Sequence, residues 1–160
     1  YNVSNISAAL AIGSYFDISF ELMKSGLEGY IPKNNRSEIR EVGTNLVILD
    51  AYNANPTSVK AAVDSFSKLL GAQKVVMIGD MFELGKDSLK LHQEIVDFVC
   101  SSNFEKTIFV GKDFSQCTAD NAIFFETTEK LKQWFINEKM QASIILIKGS
   151  RGMKMESIID

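Results

Sequence analysis

The chain has 160 residues, 46% hydrophobic and 23% charged, with a formal net charge of -3. That is enough apolar material for one ordinary domain with its own core. The small negative charge, with no dense Lys/Arg run, gives no general pull toward nucleic acid, and no apolar stretch nears the ~20 residues of a membrane span.

The sequence opens at Tyr1, without a methionine or a signal peptide and already inside a helical pattern, so a piece of a longer protein is expected. Val3, Ile6, Leu10 and Ile12 recur near helical spacing and predict a helix over Asn2–Phe16, weakened at Gly13. A second short helix is predicted from Ser19 to Leu27. Gly26 to Asn35 holds two glycines, Pro32 and an Asn pair, and reads as a boundary. Arg36–Val42 alternates weakly and turns at Gly43-Thr44-Asn45, predicting a hairpin into the apolar run Leu46–Leu49.

From there apolar strand candidates recur at Val75–Ile78, Thr107–Val110, Ile123–Phe125 and Ile144–Ile147. Helical patterns separate most of them, over Val59–Leu70, Leu89–Val99 and around Leu131-Trp134-Phe135. Such alternation predicts an α/β fold: a Rossmann-like, mostly parallel sheet with helices on both faces. The Gly111–Asn121 connection is short for a crossover, which usually takes ~10–12 residues or more.

Three polar turns follow strand ends. The first, Asp50-Ala51-Tyr52-Asn53-Ala54-Asn55-Pro56, passes from a strand to a helix start, with Pro56 suited to the first helical turn. Its carboxylate and carboxamides could fix a sugar hydroxyl or a peptide-like ligand, or could merely satisfy the turn. The second, Gly79-Asp80-Met81-Phe82-Glu83-Leu84-Gly85, places two acids before a helix, where the favoured role is to complement its positive end. The third, Lys148-Gly149-Ser150-Arg151-Gly152, combines cations, a hydroxyl and glycines ahead of a predicted helix. A guanidinium there can grip a carboxylate or phosphate. Parallel strands would put all three turns on one edge of the sheet, where ligands bind in such folds.

The chain has neither the Gly-Lys phosphate-loop spacing nor the G-x-G-x-x-G fingerprint. His92, the single histidine, is expected to be a surface or half-buried helix residue rather than a catalytic base. Cys100 and Cys117 lack metal spacing and are expected to be free thiols of a reducing cytoplasm, with Cys100 packed as a small side chain.

Taken together, in order and spacing, the three turns resemble the C-terminal domain of the Mur ligases, and the likeness covers essentially the whole chain. The resemblance implies residues 1–33 as a remnant of a central ATPase domain with its linker, and residues 34–160 as the C-terminal Rossmann-like ligase domain. It implies ATP and Mg2+ as cofactors, held mainly by earlier domains. Its chemistry would be amide synthesis through an acyl phosphate, in the cytoplasmic supply of peptidoglycan precursors. The Tyr-Asn-Ala-Asn-Pro and Gly-Asp-Met strings are most like members that join D-alanyl-D-alanine to UDP-N-acetylmuramoyl-tripeptide. Residue by residue, the resemblance implies nucleotide contacts at Asn5 (adenine), Arg36 (domain junction), Asp50 (ribose) and Tyr52, and substrate contacts at Asn53, Asn55, Ser150 and Arg151. It leaves Tyr1 unassigned, since the family often has histidine there, and implies no catalytic residue or metal ligand in this piece. Two alternatives stay open: another Mur-type ligase with a different amino component, and a non-catalytic flavodoxin- or receiver-like module, which Lys148 and Asp50 superficially fit.

Overall fold

The computed structural model describes residues 3–30, 35–71 and 73–160. The chain divides into two compact units, Tyr1–Pro32 and Lys33–Asp160. The boundary expected after residue 33 falls outside the described residues.

The first unit is a helix pair, α1 (Val3–Tyr15) and α2 (Phe20–Glu28). Ser19 begins α2 as its N-cap, its hydroxyl accepting from the Leu22 N–H at 3.4 Å. Gly13 is the buried residue of α1, because the Met23 side chain of α2 occupies the space a β-carbon would need. The glycine that weakens the helix in isolation is thus what lets the two helices meet.

The second unit runs β1 (Glu38–Val42), β2 (Asn45–Asp50), α3 (Pro56–Ser67), β3 (Gln73–Gly79), α4 (Ser88–Cys100), β4 (Lys106–Val110), β5 (Ile123–Phe125), α5 (Thr128–Glu138) and β6 (Ser143–Lys148). Among the described residues six strands form one sheet in the order β1-β2-β6-β3-β4-β5. β1 pairs antiparallel with β2 through a two-residue turn, Gly43-Thr44, and the other pairs are parallel. The expected hairpin and the four later strands are all present.

Strand side chains alternate between two cores, as a period of two requires. Val76, Ile78, Phe109 and Leu146 face one side, where Val59, Val63 and Phe66 of α3 and Ile95, Val96 and Val99 of α4 cover them. Val47, Leu49, Val75, Met77, Ile108, Ile145 and Ile147 face the other, beneath Leu131 of α5 and Met155 and Ile158 near the C-terminus. Each such large side chain contributes about 1.5–3 kcal/mol by leaving water. Burial on both faces is why β3 and β6 read as continuous apolar runs rather than alternating ones.

One local expectation changes, and a short connection finds its explanation. The segment after β6 is not an α-helix but two single 3-10 turns, Arg151–Met153 and Met155–Ile158, parted by Lys154 in the left-handed conformation at φ 50°. An α-helix cannot run through a residue held there. The Gly111–Asn121 crossover holds only the 3-10 turn Phe114–Gln116, yet β5 still pairs parallel with β4. Phe114, fully buried with its ring tilted against that of Phe109 at 4.8 Å between centroids, supplies in one ring the cover a crossover helix would otherwise give.

Candidate functional site

Strands β2, β6, β3 and β4 all end on one rim of the sheet, with Asp50 paired to Lys148, Ile78 to Lys148 and Gly79 to Val110. Because β1 is antiparallel, its first residue, Glu38, lies opposite Leu49, so Arg36 enters from the same rim. After β2 and β3 the chain leaves toward the α3/α4 face, and after β6 toward the opposite face. The end of β6 is therefore flanked by the divergent connections where open α/β sheets form ligand crevices.

The turn after β2 is pinned from beneath. Lys148 Nζ lies 2.6 Å from Asp50 Oδ2 and donates to the Asn53 carbonyl at 3.0 Å. Lys148 is 2% exposed and Asp50 8%, so the pair is nearly sealed. Asn55 is the N-cap of α3. Its side chain accepts from the Ser58 N–H at 2.9 Å while Ser58 Oγ accepts from the Asn55 N–H at 3.1 Å, with Pro56 in the first turn. Its side-chain oxygen thus serves the helix, whereas the side chain of Asn53 is exposed.

The turn after β3 is tied to two neighbours. The Ser150 N–H donates to the Asp80 carbonyl at 3.3 Å, and Ser150 Oγ accepts from the Phe82 N–H at 3.0 Å. Ser150 is itself buried. The Asp80 carboxylate accepts from the N–H groups of Asp113 and Phe114, both at 3.0 Å, and so anchors the β4–β5 crossover rather than the helix that follows it in sequence. Gly111 packs against that carboxylate at φ +134°, where a β-carbon would collide with it. Glu83 is exposed at the tip of the same turn, in the left-handed conformation at φ 65°. Beyond it the rim deepens into a depression of about 790 Å3 lined by Phe82, Lys112, Thr128 and Lys154.

His92 is the clearest departure from expectation. It is fully buried, not at the surface or half-buried. Nε2 accepts from the Met81 N–H at 3.0 Å and Nδ1 donates to the Ser88 carbonyl at 2.7 Å, which sets the tautomer. His92, Ile95, Val96 and Val99 fall at i, i+3, i+4 and i+7, so the apolar stripe of α4 already contained it. It positions the turn after β3 and has no opening to solvent. The pairing of Lys148 with Asp50 depends on the last strand lying beside β2, which linear order does not reveal.

Three aromatic and cationic side chains complete the rim. The guanidinium carbon of Arg36 lies 3.7 Å from the Tyr52 ring centroid, and that of Arg151 lies 5.4 Å from the same centroid. Of the expected contact residues, Arg36, Asp50, Tyr52, Asn53, Asn55, Ser150 and Arg151 share this rim; Asn5 lies on α1 in the first unit. Among the described residues no three His, Cys, Asp or Glu side chains form a metal-binding group. Both cysteines are free, and burial pushes the Cys117 thiol up to about 11, with the Asp80 and Asp113 charges adding to it.

This is a Rossmann-like α/β domain whose strand-end loops form a polar, cationic crevice. Residues 35–151 match the family described as "Mur ligase, glutamate ligase domain", and the chain belongs to that family. It is 36% identical over 170 residues to the UDP-N-acetylmuramoyl-tripeptide–D-alanyl-D-alanine ligase of Bacillus subtilis, covering 99% of this chain and 37% of that relative. The crystal structure of MurF from Acinetobacter baumannii superposes with a TM-score of 0.82 at 30% identity, over 98% of this chain and 36% of that one. The MurF ligase of Thermotoga maritima, solved in complex with ADP, shares the fold at a TM-score of 0.81 and 20% identity, over 96% of this chain and 36% of that one. The chain thus spans little more than a third of the relatives it matches. The flavodoxin- or receiver-like alternative gives way to this family, and the sheet agrees: its last strand is inserted between β2 and β3, and an antiparallel β1 edges β2 on the other side.

Proposed function

We propose that this chain is the C-terminal part of an ATP-dependent ligase that joins D-alanyl-D-alanine to UDP-N-acetylmuramoyl-tripeptide in the cytoplasm. In this reading residues 1–33 end a central ATPase domain, and residues 34–160 close over a nucleotide held by the preceding domains. The observation that carries it is the convergence of Arg36, Asp50, Tyr52 and Arg151 on one rim, in a chain 36% identical to a ligase of that name.

The chemistry of the rim fits a positioning role. A carboxylate held by Lys148 can accept hydrogen bonds from ribose hydroxyls, each worth about 1.5–3 kcal/mol when charge-assisted. Arg36 and Arg151 suit phosphate or carboxylate oxygens. In this reading the tripeptide carboxylate would take the γ-phosphoryl group of ATP with release of ADP, the dipeptide amine would displace inorganic phosphate from that acyl phosphate to form the amide, and magnesium would balance the phosphate charge. In this reading the metal and triphosphate belong to the earlier domains, and the residues here orient the nucleotide and the amine while closure excludes water. Asn5 is assigned to the adenine, and Asn53, Asn55 and Ser150 to the dipeptide side of the crevice. Of these, Ser150 acts through the turn it holds.

The test is ADP release and product formation by the full-length protein with each substrate omitted in turn. The expected result is turnover that needs both ATP and the dipeptide, and none by the 160-residue chain alone. Efficient use of single amino acids in place of the dipeptide would move the assignment to another Mur-type ligase. Turnover by the isolated chain would overturn the division of labour.

A further inference from the structure

Arg36, Tyr52 and Arg151 come from three separate stretches: before β1, after β2 and after β6. Their meeting is costly at first sight. Two guanidiniums approach a single ring, at 3.7 and 5.4 Å from its centroid, and like charges so placed repel. Among the described residues neither has a carboxylate within ion-pair distance. The negative face of the aromatic ring offsets part of the repulsion. Tyr52 remains 39% exposed, so the cluster is open to solvent at the crevice. Lys148 holds the loop that carries Tyr52 through the Asn53 carbonyl, so the ring stands on a braced loop.

We propose that Tyr52 is a positioning residue that couples Arg36 to Arg151, so that oxyanions bound at the two guanidiniums bind cooperatively. Charge alone opposes this, since an anion on one arginine lowers the positive potential at the other; the coupling comes from the shared ring, which limits where each guanidinium can go once its neighbour is fixed. Occupying one side therefore presets the other. This rests on the ligase reading above, in which one oxyanion is a nucleotide phosphate and the other a carboxylate of the peptide substrate. The ring's role differs from direct ligand contact by the phenol, because it needs the π face and not the hydroxyl.

The experiment varies ATP and D-alanyl-D-alanine against each other in the full-length protein, comparing wild type, Tyr52→Leu and Tyr52→Phe. In wild type the apparent KM for each substrate falls as the other rises. Tyr52→Leu abolishes that mutual dependence and raises both KM values about 3- to 10-fold, the size of a cation–π contact, with a smaller change in kcat. Tyr52→Phe, which keeps the ring, restores the dependence. The idea is overturned if Tyr52→Leu matches wild type, if the loss is confined to one substrate, or if Tyr52→Phe is as impaired as Tyr52→Leu. Unaltered thermal melting of the variants separates a local effect from misfolding.

A measurement on the 160-residue chain stands apart from the ligase reading. Inorganic triphosphate is titrated while the Arg36 and Arg151 side-chain N–H signals are followed by NMR. Both signals move together in wild type and Tyr52→Phe, and separately in Tyr52→Leu. Independent movement in wild type overturns the coupling even if the protein is a ligase. Absence of ligase turnover with coupled signals overturns the ligase reading and leaves the coupling supported.

Discussion

Lys148 Nζ sits 2.6 Å from Asp50 Oδ2, joining two residues 98 positions apart at the ends of adjacent parallel strands. Two buried charges in contact do not by themselves add much stability, but removing one strands the other in a low-dielectric site. Lys148→Met is expected to destabilise the chain by about 3–5 kcal/mol in urea denaturation. Lys148→Met combined with Asp50→Leu is expected to recover much of that loss, because no uncompensated charge remains. A single variant as stable as wild type would mean that the pair is not sealed.

Gly111 tests how the β4–β5 crossover is held. Its φ of +134° is strained for any residue with a β-carbon, and such a carbon would displace the Asp80 carboxylate. That carboxylate accepts from the N–H groups of Asp113 and Phe114. Gly111→Ala is therefore expected to cost more than about 2 kcal/mol, combining backbone strain with two broken charge-assisted hydrogen bonds. Hydrogen exchange at Asp113 and Phe114 should accelerate more than at Val76 or Ile145 in the strand cores.

Asn55 separates helix capping from ligand contact. Its side chain closes a reciprocal cap with Ser58, so Asn55→Ala is expected to lose about 1 kcal/mol. Asn55→Asp keeps the acceptor and should melt close to wild type. If full-length Asn55→Asp binds the dipeptide as wild type does, the residue serves only the helix; weaker binding would show that the carboxamide nitrogen also meets the ligand.

Acid sensitivity has one identifiable source at the β1 edge. The Arg40 guanidinium, 2.9 Å from Glu38 Oε1, holds the Glu38 carboxyl below its ordinary value of 4.5. A depressed carboxyl stabilises the folded chain above the unfolded pKa, and that contribution fades as pH falls through the folded one. Both side chains are partly exposed, so solvent screening limits the effect to about 0.5 kcal/mol. Glu38→Gln should lower stability slightly at pH 7 and flatten its dependence on pH below 4.5, as read from urea midpoints across that range.

Sequence periodicity was enough to place every strand, because an apolar run bounded by turns has few other uses in a chain this size. Pro56 marked a helix start, and the three polar turns marked one rim once the strands were parallel. Local pattern failed where a distant segment decided the outcome. His92 joined the core because Met81 offered it an N–H there. Asp80 turned from its own helix to the crossover because β4 lies alongside β3. Lys148 became the partner of Asp50, and Arg36 met Arg151 over Tyr52, only because the last strand threads between the first two parallel ones. Hydrophobic burial acts residue by residue and can be read along the chain. Ion pairs, hydrogen bonds and cation–π contacts reach only a few ångströms, so their partners are chosen when the sheet is assembled.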